Sequence, residues 1–284
     1  MRPSVRERDD DALWDIATPA RPPRVAGVTM AGFGDRGRTP ADVRLIPHPA
    51  VTVAIMFGDG VVSVSDASGR VQGGNLVTGI GLGFGNMRAR RLENFQCLQV
   101  RLSPVIARAV LGTSPADLDG RLIGLDDLWG RESSRVSERL DAAASWEERF
   151  ALVDAVIARR YADVLPVDRE VAWTWRRIIA GRGRVRVERL ADELGWSRKR
   201  LWSRFQTQAG LPPKRAATLV RFDHAVHRLV AGQDAAGVAA EAGYTDQSHL
   251  HRDVRAFTGL TPVTVTGEPF LTIDDLAWPG TAAR

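Results

Sequence analysis

The sequence contains few of the residues that metal-binding and disulfide-stabilised proteins need. Among its 284 residues there is one cysteine, Cys97, and there are five histidines. A single cysteine excludes a disulfide within the chain and a zinc site made from cysteine pairs. We therefore expect no metal and no cofactor, and the single thiol fits the reducing environment of the cytoplasm.

Long apolar segments are absent as well. No run of about 18 or more apolar residues occurs, so we expect no transmembrane helix and no membrane partner. The first residues, MRPSVRERDDDALW, carry charges without an apolar stretch, which argues against a signal peptide. The chain length and a content of 44% hydrophobic and 26% charged residues instead indicate a globular protein of two ordinary domains.

Positive charge is concentrated in the second half of the chain. Residues 167–270 contain 17 Lys and Arg against 11 Asp and Glu, and the shorter stretch 176–215 contains 12 against 3. An excess of this size indicates a polyanionic partner such as nucleic acid, although a solvated arginine-rich surface would give the same count.

The first half of the sequence has the pattern of short strands. VTVAIMF (51–57) and VVSVS (61–65) are rich in β-branched residues and are separated by Gly-Asp-Gly, which indicates a hairpin. LVTGIGLGF (76–84) and FQCLQVRL (95–102) predict further strands. The glycine-rich stretch 79–85 does not open a helix, so we interpret it as bends of a small barrel and not as a dinucleotide-binding loop.

After the strands the pattern becomes helical, and it stays helical from residue 169 onward. The sequence thus predicts an α+β fold in which a β-barrel-like domain with helices precedes an all-helical domain. The predicted division is a flexible arm at 1–24, the barrel-like domain at 25–165, the helical domain at 168–270 and a tail at 271–284. Pro166 marks the boundary between the domains, because proline disfavours helix at the residue before it.

One predicted helix, residues 146–164, carries an apolar stripe. Phe150, Val153, Ile157 and Tyr161 recur in it at helical spacing. Such a stripe either packs in the core of its own domain or forms the seam of a homodimer, and the sequence leaves both open.

A short pattern occurs twice in the helical half. LADELGWS (190–197) and VAAEAGYT (238–245) each end a short helix with glycine and an aromatic residue before a second helix begins. The residues that suit the capping positions are Gly195, Gly243, Ser197 and either Thr245 or Asp246. A helix, a short turn and a helix form the unit whose second helix enters the major groove. Two such units in a basic segment predict a domain that contacts double-stranded DNA.

The two units resemble the AraC family of bacterial transcription regulators. The segments that carry the resemblance are LADELGWSRKRLWSRFQTQAGLPP (190–213) and, most strongly, AGYTDQSHLHRDVRAFTGLTP (242–262). The resemblance implies two helix-turn-helix units joined by one long helix, with RNA polymerase as a further partner if the protein is an activator. After Pro262 the chain reads VTVTGEPF and departs from the family pattern, so we expect the family's closing helix to be absent or displaced.

The first half resembles the sensor domain of one branch of this family through FQCLQVRLSPVIARAVLG (95–112) and LIGLDDLWG (122–130). This resemblance implies a barrel that senses a small-molecule effector or mediates contacts in a homodimer. The predicted function is a sequence-specific transcription regulator that reads two adjacent major-groove segments and is controlled through its first half. The alternative is a barrel enzyme with an appended DNA-binding domain.

The outward faces of the second helices supply the candidate DNA-contacting residues. Leu201 and Phe205 mark the buried side of the first of these helices, and Leu250 and Val254 mark that of the second. The predicted contacts are Arg198, Lys199, Arg200, Trp202, Ser203 and Gln206 in the first helix and Gln247, Ser248, His251 and Arg252 in the second.

The resemblance assigns base reading to part of this set, namely Lys199, Trp202, Ser203, Gln247, Ser248 and Arg252. The arginines beside them suit phosphates. Glutamine pairs with adenine and arginine with guanine through two hydrogen bonds each. Alternatives stay open for two of these residues: Trp202 packs against a neighbouring helix instead of entering the groove, and Arg252 forms an ion pair with Asp253 or contacts a phosphate instead of a base.

A catalytic site finds little support in the sequence. His249 and His251 are two residues apart, so they point to different sides of a helix and cannot share a metal ion. The barrel region contains one histidine, His48, where a metalloenzyme barrel needs two or three together with a carboxylate. Cys97 lies in a predicted strand and is a buried structural thiol, a redox-sensitive thiol or a contact of the ligand.

Overall fold

The computed structural model describes residues 14–35, 41–60, 62–66, 69–81, 87–91, 95–162 and 167–278. Parts of several predicted segments lie outside these ranges: the start of the arm, most of the glycine-rich stretch, the segment around Pro166 and the end of the tail. Within the described part, no helix is long and apolar enough to span a membrane.

Two antiparallel sheets form the first half of the chain. Their strands are β1 Trp14–Ala17, β2 Val28–Asp35, β3 Ala41–Arg44, β4 Val51–Phe57, β5 Val62–Ser65, β6 Val71–Gly73, β7 Leu76–Thr78, β8 Arg88–Arg91, β9 Gln96–Leu102 and β10 Leu122–Gly124. The larger sheet has the order β1-β2-β9-β4-β7-β10 and the smaller one the order β3-β8-β5-β6. Phe33 and Leu76 of the larger sheet pack with Val62 and Val64 of the smaller one, so the two sheets enclose one apolar interior.

Strand β9 is buried on both faces. It pairs with β2 on one side and with β4 on the other. Cys97 lies in the apolar cluster inside the barrel, and the next residue, Leu98, lies in the larger core on the opposite face. Burial raises the pKa of the Cys97 thiol above its usual range, which favours the structural interpretation of this residue.

The helices are α1 Pro104–Leu111, α2 Leu125–Trp129, α3 Arg131–Ala142, α4 Trp146–Ala162, α5 Arg169–Ala180, α6 Val187–Glu193, α7 Arg198–Ala209, α8 Pro213–Val230, α9 Ala235–Ala242, α10 Gln247–Thr258, α11 Pro262–Val265 and α12 Pro269–Ala277. A 3-10 turn, Pro115–Leu118, follows α1. Helices α5 to α12 form the second half of the chain. The two sheets with α1 to α4 in the first half, and helices alone in the described residues of the second half, confirm the predicted α+β class.

The apolar stripe of α4 belongs to the core of the chain itself. Phe150, Val153 and Ile157 are buried, whereas Tyr161 at the end of the stripe is 36% exposed. Trp146 stacks on Phe150 with ring centroids 5.9 Å apart. The stripe was interpreted either as part of the core or as the seam of a homodimer. Packing in the core accounts for its three buried residues.

The structure differs from the predicted division at both ends of the chain. Strand β1, inside the predicted arm, pairs with β2 and becomes the edge of the larger sheet. Helix α12 occupies much of the predicted tail, and Leu271 and Trp278 in this region are buried. Both segments are short, so each contains too few residues for a periodic pattern to identify it from the sequence.

A closing helix is present after the second helix-turn-helix unit. The Thr261 hydroxyl accepts a hydrogen bond from the backbone N–H of Thr264, and Pro262 occupies the first position of α11. Helix α12 follows after Gly267 and Glu268 and packs on the barrel. Of the two expectations for this segment, absence of the helix is therefore wrong.

Candidate nucleic-acid interface

Two capping residues build the first helix-turn-helix unit. Gly195 follows α6 with φ +63°, a left-handed conformation that glycine adopts without strain. The hydroxyl of Ser197 accepts a hydrogen bond from the backbone N–H of Arg200 at 3.1 Å. Both predicted capping positions are confirmed, and α7 begins directly after Ser197.

The second unit is built in the same way with a longer turn. Gly243 follows α9 with φ +76°, and the carboxylate of Asp246 accepts a hydrogen bond from the backbone N–H of His249 at 2.7 Å. Of the two candidates for this N-cap, Asp246 therefore starts α10, and Thr245 belongs to the turn. The glycines of the two units are 48 residues apart and the N-caps 49, so the second turn has one additional residue.

Helix α8 joins the two units as one rod. It contains 18 residues, which correspond to about 27 Å at 1.5 Å per residue. Phe222 of the rod stacks on Phe257 of α10 with ring centroids 4.6 Å apart. Phe205 of α7 is fully buried in the same apolar core as Phe222. Both second helices are thus fixed to the rod by their buried sides.

Helix α7 turns its polar side to solvent. Leu201 and Phe205 are fully buried, as the sequence predicts. The exposed predicted contacts are Arg198, Lys199, Arg200, Trp202 and Ser203. Trp202 is 51% exposed, which argues against the alternative that it packs against a neighbouring helix. Gln206 is half-buried, and its Oε1 atom has no hydrogen-bond partner.

The arginines of α7 have different local partners. The guanidinium of Arg200 lies over the ring of Trp196 at 4.3 Å. Arg198 is 3.9 Å from the carboxylate of Glu188, and both side chains are exposed. Arg204 is held by Asp168 at 2.6 Å. An exposed ion pair of the Arg198 kind contributes little, so this guanidinium is available to a phosphate.

Helix α10 exposes the predicted contacts of the second unit. Gln247, Ser248, His251 and Arg252 are exposed. Arg252 makes a long contact from Nε to the backbone carbonyl of Ser248, at 3.4 Å. Asp253 is bound instead by Arg221 of α8, at 2.8 Å. The alternative ion pair between Arg252 and Asp253 is therefore not supported.

His249 is a packing residue of the turn. Its ring meets the ring of Tyr244 edge-on, with centroids 5.1 Å apart. Its Nε2 atom lies 3.5 Å from the guanidinium of Arg221, and its Nδ1 atom lies 3.5 Å from the hydroxyl of Thr245. These contacts hold the imidazole against the turn, away from the exposed face of the helix.

Arg255 is a candidate contact that the sequence analysis missed. It is exposed and lies three residues after Arg252, so both guanidinium groups project from neighbouring positions on one side of α10. Counted from the N-caps, Arg255 occupies the position that Gln206 has in α7. The offset of 49 residues between the units, which the structure reveals, identifies this correspondence.

The barrel contains an apolar cavity of about 120 Å³. Its walls come from both sheets and from α12 and include Phe33, Met56, Val64, Phe95, Ile273 and Trp278. The polar members of its lining are His48, Thr52, Thr78, Gln99 and Asp274. The Nε2 atom of His48 lies 3.0 Å from the hydroxyl of Thr52, whereas His48 Nδ1 and the Thr78 hydroxyl have no hydrogen-bond partner. Burial lowers the pKa of His48 to about 3, so its imidazole is neutral at neutral pH.

A buried group of charges joins α12 to the barrel and to α8. Arg101 of β9 donates hydrogen bonds to both carboxylate oxygens of Asp274, one of them at 3.2 Å. His227 of α8 lies 3.4 Å from the same carboxylate, 3.8 Å from that of Asp223 and 2.7 Å from that of Asp275. Burial alone would raise the pKa of Asp274, but the charges and hydrogen bonds of Arg101 and His227 hold this pKa well below its usual range. Burial alone would lower the pKa of His227, but the carboxylates of Asp274, Asp223 and Asp275 raise this pKa to about 9.

Residues 190–267 match the family model described as a helix-turn-helix domain. No curated protein matches the chain. Among solved structures, the chain is similar to ToxT from Vibrio cholerae O395, with 10% identity, a TM-score of 0.47 and coverage of 84% of this chain and 97% of that one. It is also similar to the AraC-like transcriptional activator CuxR, with 14% identity, a TM-score of 0.25 and coverage of 72% and 83%.

Proposed function

We propose that the chain is a DNA-binding transcription regulator of the AraC type, in which α7 and α10 read two adjacent major-groove segments of one site. The match of residues 190–267 to a helix-turn-helix family model supports this proposal. The predicted contacts of the two helices, together with Arg255, are the proposed DNA-binding residues. The observation that carries this proposal is the presence of two exposed helix faces with different side chains on one rod. Faces that differ read different base pairs, which an architectural protein without sequence preference does not need.

The length of the rod supports the reading of adjacent segments. Successive major-groove segments on one side of the double helix are about 34 Å apart. Helix α8 spans about 27 Å, and the flanking units add their own thickness at both of its ends. Both helices can therefore reach neighbouring segments of one duplex.

The wild-type chain is expected to enrich one sequence from a random DNA library, and this sequence is called the selected site below. Binding to it should fall steeply with salt, because cations on the protein displace counterions from several phosphates. Arg200→Ala should lower the slope of log affinity against log salt by about one, because Arg200 is one of the arginines assigned to phosphates. Titrations of fluorescent DNA at four or more salt concentrations measure this slope.

The control for Arg200→Ala is Arg139→Ala, which removes an exposed cation from α3 in the first half of the chain. It should leave the salt slope unchanged, because α3 lies outside the proposed interface. Enrichment of no sequence, or an equal slope change in both variants, would contradict the proposed interface.

We infer that the barrel regulates and does not catalyse. Its cavity is lined mainly by apolar side chains, and its histidine is neutral and bonded to Thr52. In the described residues, no group of three or more His, Cys, Asp or Glu side chains is arranged to hold a metal ion. These features favour a sensor over the alternative of a barrel enzyme.

We further propose that the cavity binds a small uncharged effector with an apolar body and one hydroxyl group. An apolar cavity of about 150 Å³ binds benzene, so the volume of about 120 Å³ suits a molecule about the size of one ring. The Thr78 hydroxyl and His48 Nδ1 would gain partners from the hydroxyl of the ligand. A carboxylate would lose its hydration opposite a neutral imidazole, which disfavours anionic effectors.

Phenol is the probe for this cavity. Phenol should raise the melting temperature of the wild-type chain more than benzene does, and benzoate should leave it unchanged. Thr78→Val keeps the shape of the side chain but removes its hydroxyl, so phenol and benzene should then act equally. Thr113→Val, outside the cavity, is the control and should behave as wild type. Stabilisation by benzoate, or an undiminished phenol effect in Thr78→Val, would count against this ligand class.

A further inference from the structure

The first half of the chain contacts the last turn of each proposed reading helix. The Ser114 hydroxyl donates a hydrogen bond to the backbone carbonyl of Thr207 in α7 at 2.9 Å. Arg44, at the end of β3, donates from Nη1 to the backbone carbonyl of Thr258, the last residue of α10, at 3.1 Å. Carbonyl groups in the last turn have no partner inside the helix, so both contacts satisfy groups that need a donor.

Arg44 also contacts the start of α12. Its Nε atom lies 3.6 Å from the carboxylate of Glu268, the N-cap residue of that helix. The side chains of Arg44 and Glu268 are 14% and 20% exposed, so the pair is largely removed from solvent. One side chain of the barrel thereby ties the end of α10 to the start of α12.

The other end of α12 closes the barrel. Asp274 is bound by Arg101, and the guanidinium of Arg101 also lies over the ring of Trp278 at 4.4 Å. Trp278 is buried in the apolar cluster inside the barrel that contains Cys97. Ile273 and Trp278 form part of the wall of the cavity. Helix α12, although it follows the helix-turn-helix units in the chain, is therefore a wall of the barrel.

We propose that Arg44, Glu268 and α12 form a latch that opens as one unit and acts on α10 separately from α7. In the closed latch, α12 completes the cavity wall and α10 is held against the barrel. When α12 leaves the barrel, the cavity loses this wall and α10 loses its contact with Arg44. The inference rests on the proposed reading of DNA by α10, and it assigns control by the barrel to the second helix-turn-helix unit.

The charges of the latch make it easier to open than an apolar contact of the same size. For a buried ion pair, the cost of removing the charges from water nearly offsets their attraction. Asp274 lines both the barrel cavity and a second cavity of about 390 Å³ that Val220 and His227 of α8 also line. Its carboxylate can therefore regain water or meet a ligand while the sheets stay intact.

The contact of the first half with α7 is of a different kind. Gly210, directly after α7, lies so close to Pro115 that an added Cβ would stand 2.8 Å from the carbonyl oxygen of that proline. Pro115 and Leu118 of the 3-10 turn are buried. Tight apolar packing accompanies the hydrogen bond from Ser114, so this contact stays closed when α12 moves.

Cys97 reports the opening of the latch without DNA. It is fully buried and is the single thiol of the chain, so its alkylation requires the barrel interior to open. We expect Arg44→Gln to accelerate alkylation by iodoacetamide about tenfold, because the local opening becomes more frequent. Ser114→Ala is the matched control, since it removes one polar contact between the first half and α7, and it should react at the wild-type rate. Melting temperatures of the three proteins separate local opening from a loss of global stability.

The same two variants should also differ in how they bind DNA. In one set of DNAs, the segment of the selected site that α10 reads is scrambled. This change should weaken binding by the wild-type chain about fivefold more than it weakens binding by Arg44→Gln. The variant no longer holds α10 in a binding geometry, so it has less affinity to lose at this segment. Scrambling the segment that α7 reads should weaken both proteins equally. Ser114→Ala should behave as the wild-type chain on both segments, because the packing of Pro115 against Gly210 still holds α7 in place.

Equal alkylation rates for Arg44→Gln and Ser114→Ala would overturn the latch. The latch would also be overturned if scrambling either DNA segment changed the affinity of Arg44→Gln, relative to that of the wild-type chain, by the same factor. If the wild-type chain selects no DNA sequence, the proposed function fails instead, and the thiol measurement alone decides on the latch.

Discussion

The Arg101→Met variant is expected to lose about 3–5 kcal/mol of the free energy of unfolding. The substitution keeps a long side chain but leaves the carboxylate of Asp274, which is 5% exposed, without the guanidinium that binds both its oxygens. A buried carboxylate without this partner must take up a proton or draw in water. The contact of Arg101 with the ring of Trp278 is lost in addition.

Urea unfolding followed by circular dichroism measures this loss. The double variant Arg101→Met/Asp274→Leu removes both charges and should recover most of the stability, because attraction and desolvation nearly cancel in a buried pair. Arg24→Met is the matched control: Arg24 pairs with Asp154 at 2.7 Å but is 60% exposed, and a pair of this kind contributes at most about 1 kcal/mol. Equal losses for the variants of Arg24 and Arg101 would contradict a buried junction at α12.

The helix-turn-helix units were predictable because their determinants are local. Gly195 and Ser197 act on residues within three positions of themselves, one by its backbone conformation and the other by accepting the N–H of Arg200. Determinants of this kind are neighbours in the sequence, so they can be recognised without knowledge of how the rest of the chain folds. The same holds for the buried sides of α7 and α10, because positions four residues apart on a helix share a face.

The contacts between the two halves could not be predicted in this way. Arg44 and Thr258 are 214 residues apart, and Arg101 and Asp274 are 173 residues apart. Nothing in the sequence next to Arg101 distinguishes it from an exposed arginine of an alternating strand. Helix α12 was assigned to a tail for the same reason, since the surface that buries Trp278 is supplied by the barrel.

The candidate DNA interface was predictable from the sequence in part. The exposure of Arg252, Ser248 and Lys199 follows from helix periodicity, and the structure agrees with it. Their division into base contacts and phosphate contacts depends on how the helix lies in the groove, and periodicity does not determine that. The assignment of these residues stays a prediction, and a comparison of two arginines tests it most directly.

Arg252→Ala is expected to weaken binding to the selected site by about 1–3 kcal/mol and to flatten the preference at one base pair. Arg252 lies on the exposed side of α10 with Ser248, and its long contact to the Ser248 carbonyl leaves its terminal nitrogens for a base. A guanine offers two acceptors to one guanidinium in the major groove. Loss of this pairing removes affinity for the correct base and little affinity for other DNA.

Arg198→Ala should act on all DNA alike. Arg198 lies in the first turn of α7, where its exposed pair with Glu188 at 3.9 Å is too weak to hold it away from a phosphate. Its removal should lower affinity for the selected site and for scrambled DNA by the same factor and reduce the salt slope by about one. Both variants should keep the wild-type circular dichroism and melting temperature, because both side chains are exposed.

Titration of both variants with the selected site and with scrambled DNA, at two or more salt concentrations, separates the two roles. Arg252→Ala should reduce the ratio of the two affinities by a factor between about 5 and about 150, which corresponds to about 1–3 kcal/mol, whereas Arg198→Ala should leave that ratio unchanged. If Arg252→Ala instead weakens both DNAs equally and lowers the salt slope, Arg252 contacts a phosphate. The base-contacting side of α10 would then be centred on other residues, and Arg255, one turn further along the same side, would be the next residue to replace.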